Sequence, residues 1–221
     1  MKSLLSLILM IVPWRIRRHM MASLLGYKIH PTAKIGLSFV CPDHLEMGAG
    51  AHIGSLTVCK GLFLLQMGEQ SHLGNLNWVT GFPAANKGFF QGEPDRKPEL
   101  IIGENAAITN RHLIDCTNSV RIGRFTTFAG FRSQILTHSI DLYRCLQASK
   151  PVTIGDYCFV GTSCILLGGS ALPDYCVLAA GSVLNKTYSE SHQLYAGNPA
   201  KAVKPLPQEM LYFNREAGFV K

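Results

Sequence analysis

This sequence has little charge and no paired-cysteine motif. Only 16% of its 221 residues are Asp, Glu, Lys or Arg, whereas 47% are hydrophobic, so the chain can fill a sizeable core and is not disordered. The seven cysteines include no CxxC pair, which excludes a zinc ribbon, and a secreted disulfide framework would use a denser, even-numbered set. We therefore expect a reducing, cytoplasmic compartment.

Acidic residues are missing from the N-terminal segment. Residues 1–42 contain six Lys and Arg residues and no Asp or Glu, so they carry +6 of the net charge of +7. The rest of the chain is close to neutral, which argues against a nucleic-acid partner. A basic end favours contact with anionic lipid, here through residues 1–25 on the inner face of the cytoplasmic membrane.

A period of six residues is the strongest pattern in the sequence. Aliphatic residues recur at this spacing in the C-terminal half, and a small residue follows four positions after most of them. The aliphatic series is Ile154, Val160, Leu166, Leu172, Leu178 and Leu184; the small residues are Cys158, Cys164, Ser170, Cys176 and Ser182. Neither a helix nor a simple strand produces this spacing.

The same period continues upstream and predicts a stack of triangular coils. The series there are Ile102, Ile108 and Ile114; Ile122 and Phe128; Met67 and Leu73; and Ile29, Ile35, Cys41, Met47 and Ile53. Three steps of six residues make one coil, and each coil buries its apolar face only by stacking on its neighbours. We expect about seven coils within residues 29–205, with Cys158, Cys164 and Cys176 as small inward residues rather than metal ligands or nucleophiles.

Two intervals interrupt the period and predict loops. The first, residues 75–100, is rich in Gly, Pro and aromatic residues, and the second, residues 139–152, follows the motif QILTHSID. Loops on a rigid scaffold often carry binding groups. For the first loop, substrate binding and a packing role between subunits are equally consistent with the sequence.

The repeat motifs resemble those of the hexapeptide-repeat acyltransferases. The run PVTIGDYCFVGTSCILLGGSALPDYCVLAAGSVL and the later YAGNPAKAVK are similar to the end of galactoside and maltose O-acetyltransferases. The segment ITNRHLIDCTNSVRIGRFTTFAGFRSQILTHSID resembles exopolysaccharide O-acetyltransferases of the colanic acid type. The resemblance implies a left-handed parallel β-helix, a homotrimer, and active sites between subunits.

The resemblance assigns His138 as the catalytic base. In this family a His just before the second loop removes the proton of the acceptor hydroxyl, and imidazole titrates near neutral pH, so it can also return that proton to the CoA thiolate. Asn110 matches an Asn near the acceptor. Asp115 or His112 would orient His138 or bind the sugar, and Asp141 is another candidate for orienting it. A salt bridge or a corner hydrogen bond is the slightly favoured explanation for Asp115 and His112.

The resemblance also places acetyl-CoA on the last coils. Small residues there would leave room for the pantetheine arm, and lysines after the closing turn would meet the phosphates, unless they are simply solvated. The predicted residues are Gly161, Ala179, Ala180, Gly181, Asn198, Pro199, Lys201 and Lys204. We expect no metal.

The N-terminus departs from the galactoside and maltose enzymes, which begin with a different helical segment. The apolar run Leu4–Val12 is too short to cross a bilayer, and Pro13 and Gly26 suit the start and end of a basic amphipathic helix. This helix either caps the open end of the solenoid or lies on a membrane. We expect capping, with the apolar run attached to the membrane. The predicted units are residues 1–28, 29–205 and 206–221, the last with a short helix over 207–217.

The expected activity is O-acetylation of a saccharide hydroxyl in bacterial envelope polysaccharide synthesis, on an acceptor that is soluble or lipid-linked. N-acetylation of an amino sugar and acetylation of a xenobiotic remain alternatives, as does a non-catalytic scaffold. A carbonic anhydrase on the same fold needs three histidines around zinc, two of them close in sequence, and the eight histidines offer no such pair.

Overall fold

The computed structural model describes residues 2–84, 88–90 and 92–220. Two helices, α1 (Lys2–Leu9) and α2 (Trp14–Leu25), precede a body of short parallel strands. In the described part of the chain no helix is both long enough and apolar enough to cross a bilayer.

The strands form three flat faces, each made by one strand from every coil, and a closing hairpin adds two more strands to the second face. The first face contains β1 (Lys28–Ile29), β4 (His44–Met47), β7 (Leu64–Met67), β10 (Glu99–Ile102), β13 (Val120–Ile122), β18 (Val152–Ile154) and β21 (Ala171–Leu172). The second contains β2 (Lys34–Ile35), β5 (His52–Ile53), β8 (His72–Leu73), β11 (Ala107–Ile108), β14 (Thr127–Phe128), β19 (Phe159–Val160), β22 (Val177–Leu178), β24 (Gln193–Gly197) and β25 (Ala200–Pro205). The third contains β3 (Phe39–Cys41), β6 (Val58–Lys60), β9 (Trp78–Thr80), β12 (Leu113–Asp115), β15 (Gln134–Leu136), β20 (Ile165–Leu167) and β23 (Val183–Leu184). A separate hairpin pairs β16 (His138–Asp141) with β17 (Leu146–Ser149).

These faces make a left-handed parallel β-helix with seven coils in the described residues. The period of six predicted the stacked coils, and the resemblance implied their left-handed winding. Ile102, Ile122 and Ile154 stack in register on the first face, and the aliphatic series from Ile154 to Leu184 is buried throughout. In the upstream series, Cys41 does not point inward. Val40, the middle residue of β3, is buried in its place. The step from Ile35 to Val40 is therefore five residues rather than six.

Small polar side chains tie successive coils together at the corner between the second and third faces. The Ser38 hydroxyl donates to Gly54 O at 2.7 Å, and the Thr57 hydroxyl repeats this contact with Gly74 O one coil later. A polar group buried at such a corner needs a partner, and the next coil supplies it. Cys158, Cys164 and Cys176 are fully buried, which confirms that they occupy the small inward positions.

Helix α2 lies across the open N-terminal end of the stack. Arg17 is buried there and donates to Gly36 O and Ser38 O at 2.9 and 2.8 Å, while Met21 joins the core. Gly26 ends the helix with a φ of 69°, a left-handed conformation that glycine adopts at little cost. Helix α1 packs beside β3 and buries Leu9.

The C-terminal helix expected over residues 207–217 is only a 3₁₀ turn, Leu211–Asn214. The neighbouring side chains Tyr212 and Phe213 both contact the solenoid: the Tyr212 hydroxyl donates to Cys158 O at 2.8 Å, and Phe213 packs edge-on against Tyr175. Adjacent residues of an α-helix point in directions that differ by about 100°. Anchoring both residues on one surface therefore favours the shorter turn.

Candidate active site

Both interruptions of the repeat leave the solenoid at the corner between the third and first faces, which we name the His138 corner. The first is shorter than predicted, because β9 extends the repeat to Thr80 and the loop spans only residues 81–98. The second is the β16–β17 hairpin rather than an irregular loop. Between them lies the corner after β12. Three successive coils thus contribute to one site.

His138 and Asp115 form a hydrogen-bonded pair at this corner. His138 Nδ1 lies 2.8 Å from Asp115 Oδ2, and the imidazole keeps 37% of its surface exposed. A carboxylate only accepts hydrogen bonds, so Nδ1 must carry the proton of the neutral ring. The lone pair of the neutral imidazole is then on Nε2, which is the arrangement that a general base requires.

The Asp115 carboxylate is held by several donors besides the imidazole. Oδ1 accepts from the amide and hydroxyl of Thr117, at 3.0 and 2.6 Å. Oδ2 accepts from the amide and hydroxyl of Thr137, at 2.9 and 3.0 Å, and from the His138 amide at 3.0 Å. Burial acts to raise the pKa of Asp115, but the hydrogen bonds from Thr117 and His138 outweigh it, and the pKa is lowered. The group therefore remains an anion and fixes the orientation of His138.

Two aromatic rings from the first loop pack edge-on against the imidazole. Their centroids lie 5.8 Å (Phe82) and 6.3 Å (Phe90) from that of His138. Arg96 holds both rings in place. Its guanidinium stacks 4.4 Å from the centre of Phe90 and donates to Phe82 O at 2.7 Å and Thr117 O at 2.6 Å. This buried cation therefore connects the loop to the backbone that binds Asp115.

Glu93 makes a second connection, between the first loop and the hairpin. Its carboxylate accepts from the Ser149 amide at 2.7 Å and, by a short contact, from the Ser149 hydroxyl. Ser149 pairs with His138 across the hairpin. Beside it opens a pocket of about 500 Å³ lined by both segments, including Phe89, Phe90, Ile140 and Gln147. The pocket combines apolar rings with polar side chains, which suits a sugar.

The sequence offered three partners for His138, and the structure brings only Asp115 to it. Asp141 lies in the hairpin turn, where Oδ1 accepts from the amides of Tyr143 and Arg144. His112 is buried at the corner between the second and third faces and bonds Thr109 and Ser133. Burial lowers the pKa of His112 to about 4, against weaker opposing hydrogen bonds, so it is a neutral structural residue.

Asn110 lies away from the His138 corner, at the corner between the second and third faces. Its Oδ1 accepts from the Asn75 amide at 2.7 Å, and strand β12 separates it from Asp115. Within one chain it connects coils and does not meet His138. Its catalytic role stays a prediction.

Four of the residues predicted to bind acetyl-CoA, Gly161, Ala179, Ala180 and Gly181, share that second-to-third corner, which we name the Gly161 corner. A Cβ on Gly161 would lie 2.6 Å from the Ala180 amide nitrogen, so the corner has no room for a larger residue there. Ala179 donates its amide to Tyr195 O at 2.9 Å, and Gly181 adopts a φ of 72° with open space around it. The two coils thus approach closely at Gly161, and binding of a pantetheine arm along this corner stays a prediction.

The closing hairpin β24–β25 lies at the end of this corner. Asn198 and Pro199 form its turn, and the Gly197 amide donates to the Ser182 hydroxyl at 3.1 Å. Lys201 and Lys204 are exposed on β25. Their exposure fits both a solvated and a phosphate-binding role, so their contact with CoA stays a prediction.

Several site residues were not predicted from the sequence. Arg96 lies in the charged stretch PDRKP, which is typical of a solvated loop, and Glu93 has no local motif either. Thr117 did carry a signal, because a hydroxyl two residues after an Asp is a common local turn partner. Among the described residues no group of three or more His, Cys, Asp or Glu side chains is placed to hold a metal ion.

The coils and the two loops at one corner define the class of fold: this is the left-handed β-helix of the hexapeptide-repeat acetyltransferases, and the predicted resemblance is confirmed. No family model matches the chain. Among curated proteins, "Putative acetyltransferase YJL218W" of Saccharomyces cerevisiae is 35% identical over 120 residues. That match covers 52% of this chain and 60% of the yeast protein, so it spans less than two thirds of its relative.

Solved structures share the fold at low sequence identity. The polysialic acid O-acetyltransferase OatWY has a TM-score of 0.59 and 17% identity, over 81% of this chain and 84% of its own. A variant of AntD, an N-acyltransferase from Bacillus cereus in complex with dTDP-4-amino-4,6-dideoxyglucose and coenzyme A, has a TM-score of 0.60 and 10% identity. The AntD match covers 76% of this chain and 87% of that one.

Proposed function

We propose that this chain is an acetyl-CoA-dependent O-acetyltransferase that acts on a saccharide hydroxyl in envelope polysaccharide synthesis. The observation that carries the proposal is the hydrogen bond between His138 Nδ1 and Asp115, which leaves the lone pair of the neutral ring on Nε2. Phe90, which packs against this imidazole, also lines the pocket of about 500 Å³. The similarity to the yeast protein and to the folds of OatWY and AntD supports the class of reaction. We place the reaction in the cytoplasm, where acetyl-CoA is available.

In the proposed mechanism, His138 Nε2 takes the proton of the acceptor hydroxyl as its oxygen attacks the thioester carbonyl. A C–O bond forms, the C–S bond breaks, and the imidazolium returns the proton to the leaving thiolate. Asp115 keeps the ring in the required tautomer and stabilises the imidazolium while it exists, as the carboxylate does in Ser-His-Asp enzymes. No acyl-enzyme is needed.

The complete site requires a second subunit in this proposal. Asn110 and the Gly161 corner lie one face away from His138, and the three-residue strand β12, which runs from one corner to the other, extends about 10 Å. Reacting atoms must approach within about 3.5 Å. A cyclic homotrimer would place the Gly161 corner of one subunit against the His138 corner of the next, which brings donor and base together.

The test is release of free thiol from acetyl-CoA with wild type, His138→Ala and the matched control His30→Ala, an exposed His on a distant coil. The acceptor panel includes free sugars, nucleotide sugars, amino sugars and lipid-linked saccharides. We expect turnover with a hydroxyl acceptor that is lost only in His138→Ala, while that variant still binds CoA. Transfer only to amines would show an N-acetyltransferase, and absence of CoA binding by wild type would refute the proposal.

The trimer has a separate test by complementation. His138→Ala and a Lys201→Glu/Lys204→Glu variant, each inactive alone, are co-expressed with different tags and purified through both. Because each site takes its base and its donor corner from different chains, mixed trimers should regain part of the wild-type activity. Light scattering that shows a monomer, or mixed assemblies without activity, would contradict the shared site.

A further inference from the structure

Helix α1 has one face that the solenoid does not cover. Leu9 and Ser6 are buried against the body, whereas the opposite face exposes Leu4, Leu7 and Ile8 by more than half of their surface. Residues 4, 7 and 8 lie on one side of the helix, and Ile11, in the turn that follows α1, is 82% exposed. Four neighbouring aliphatic side chains thus face outward from an end of the molecule.

A basic pocket lies where the start of α2, the helix that follows α1 in the chain, meets residues 31–34. It has a volume of about 330 Å³ and is lined by Trp14, Thr32 and the cations Arg15, Arg18 and Lys34. None of the described residues that line it is acidic, and the sequence has no Asp or Glu before Asp43. Its cations therefore have no carboxylate partner in the lining.

Hydrogen bonds organise the rim of this pocket. His19 Nδ1 lies 2.7 Å from Arg15 O and so must donate to it, which leaves Nε2 to accept from Arg18 Nη2 at 3.2 Å. The Trp14 indole donates to Ala33 O at 3.1 Å. The guanidinium of Arg18 is thus positioned by its neighbour, and its other donors remain available.

We propose that the apolar stripe of α1 and the basic pocket together form a docking surface for an anionic phospholipid bilayer. Leu4, Leu7, Ile8 and Ile11 enter the boundary between headgroups and acyl chains, and Arg15, Arg18 and Lys34 bind headgroup phosphates. An apolar stripe beside cations matches both layers of such a surface.

A second copy of the chain fits this surface poorly. In a symmetric contact the same patch meets itself, and the cations of both copies would then face each other without acidic partners. A bilayer supplies the negative charge that the lining of the basic pocket lacks. The proposal is independent of the acetyltransferase reaction, since it concerns the opposite end of the stack from the closing hairpin.

The experiment is vesicle flotation of the full chain at fixed ionic strength. One set of vesicles is phosphatidylcholine alone, and the other contains phosphatidylglycerol as about one third of its lipid. The variants are Ile11→Ser and Arg18→Gln, with Lys186→Gln as the control for loss of one charge at the far end of the solenoid. Circular dichroism and light scattering check that fold and assembly are unchanged, and Ile8→Ser replaces Ile11→Ser if that variant is altered.

We expect wild type and Lys186→Gln to float with the phosphatidylglycerol vesicles and to be released by high salt. Arg18→Gln should lower the partition coefficient about fivefold, and Ile11→Ser about tenfold. Equal binding to both kinds of vesicle, or full binding by Ile11→Ser and Ile8→Ser, would overturn the proposal. Release of wild type by inorganic phosphate, but not by sulfate of equal ionic strength, would show a site for a free phosphate and would overturn it too.

Discussion

His138 and Asp115 belong to neighbouring coils, and their Nδ1 and Oδ2 atoms are 2.8 Å apart. Asp115 ends β12, and His138 begins the hairpin that follows the next strand of the same face. The stacking of coils therefore determines the distance between base and carboxylate. Loop conformation contributes little to it, because the hydrogen bonds from Thr117 and Thr137 hold the carboxylate from both sides.

Replacement of Asp115 by Asn should reduce kcat by about 10²- to 10⁴-fold with little change in the KM for acetyl-CoA. An amide at this position can donate to Nδ1, and this favours the tautomer with the proton on Nε2, which is a poor base. Steady-state kinetics on purified Asp115→Asn measure the effect, with the exposed Asp43→Asn as the control. A fall below tenfold would show that the carboxylate does not set the tautomer.

Arg96 is expected to act as a positioning residue for His138. Without its guanidinium, Phe82 and Phe90 lose the group that ties their loop to Thr117 O, and the imidazole loses its packing. Arg96→Ala should lower kcat by up to about 10²-fold, since displacements of about 1 Å cost that much. Arg96→Lys should be nearly as impaired, because one ammonium cannot replace the planar guanidinium that donates to Phe82 O, Pro83 O and Thr117 O.

Three measurements distinguish a positioning role of Arg96 from a purely structural one. Lys97→Ala, on the same loop but exposed, controls for loss of charge. Guanidinium added to Arg96→Ala should restore part of kcat, and the Nδ1 proton of His138 should exchange faster with water in the variant when it is observed by NMR. If the variant loses only stability and its kcat at low temperature equals that of wild type, the positioning role is wrong.

Most of the fold could be predicted from the repeat, whereas the structure of the loops could not. Inward positions such as Leu166 and Ile154 were predictable because a stacked coil repeats one environment many times. Arg96 and Glu93 were not, because their partners are backbone carbonyls and a hairpin serine far away in sequence. The Gly161 corner is an intermediate case. Its small residues could be predicted from the repeat, but their distance from His138 depends on which of the three corners of the coil they occupy.

Leu166 should contribute strongly to stability, because it is fully buried in the aliphatic stack of the third face. Leu166→Ala should lower the free energy of unfolding by about 2–5 kcal/mol, since it removes buried surface and leaves a cavity in a rigid stack. Leu211→Ala, at an 87% exposed position, should change it by less than about 0.5 kcal/mol. Urea unfolding at one fixed protein concentration compares the two, and similar losses in both variants would contradict the assigned core.

His112 should make the protein less stable in mild acid. Its pKa is about 4 in the folded protein and 6.5 for the ordinary group, so between these values the unfolded chain binds a proton that the folded chain does not. Stability then falls as pH decreases through this window, by up to about 3 kcal/mol at its lower end. Above pH 6.5 His112 is neutral in both the folded and the unfolded chain, so it should not change the free energy of unfolding there.

The variant that isolates this contribution is His112→Asn, because Asn77 fills the equivalent corner position one coil earlier and bonds Thr109 O there. Urea unfolding of wild type and variant is measured from pH 7.5 to pH 4 at one protein concentration. Other groups, including Asp115, titrate in both proteins, so only the difference between the two curves reports His112. That difference should shift in favour of the variant as pH falls from 6.5, and a difference independent of pH would show that His112 is protonated normally in the folded protein.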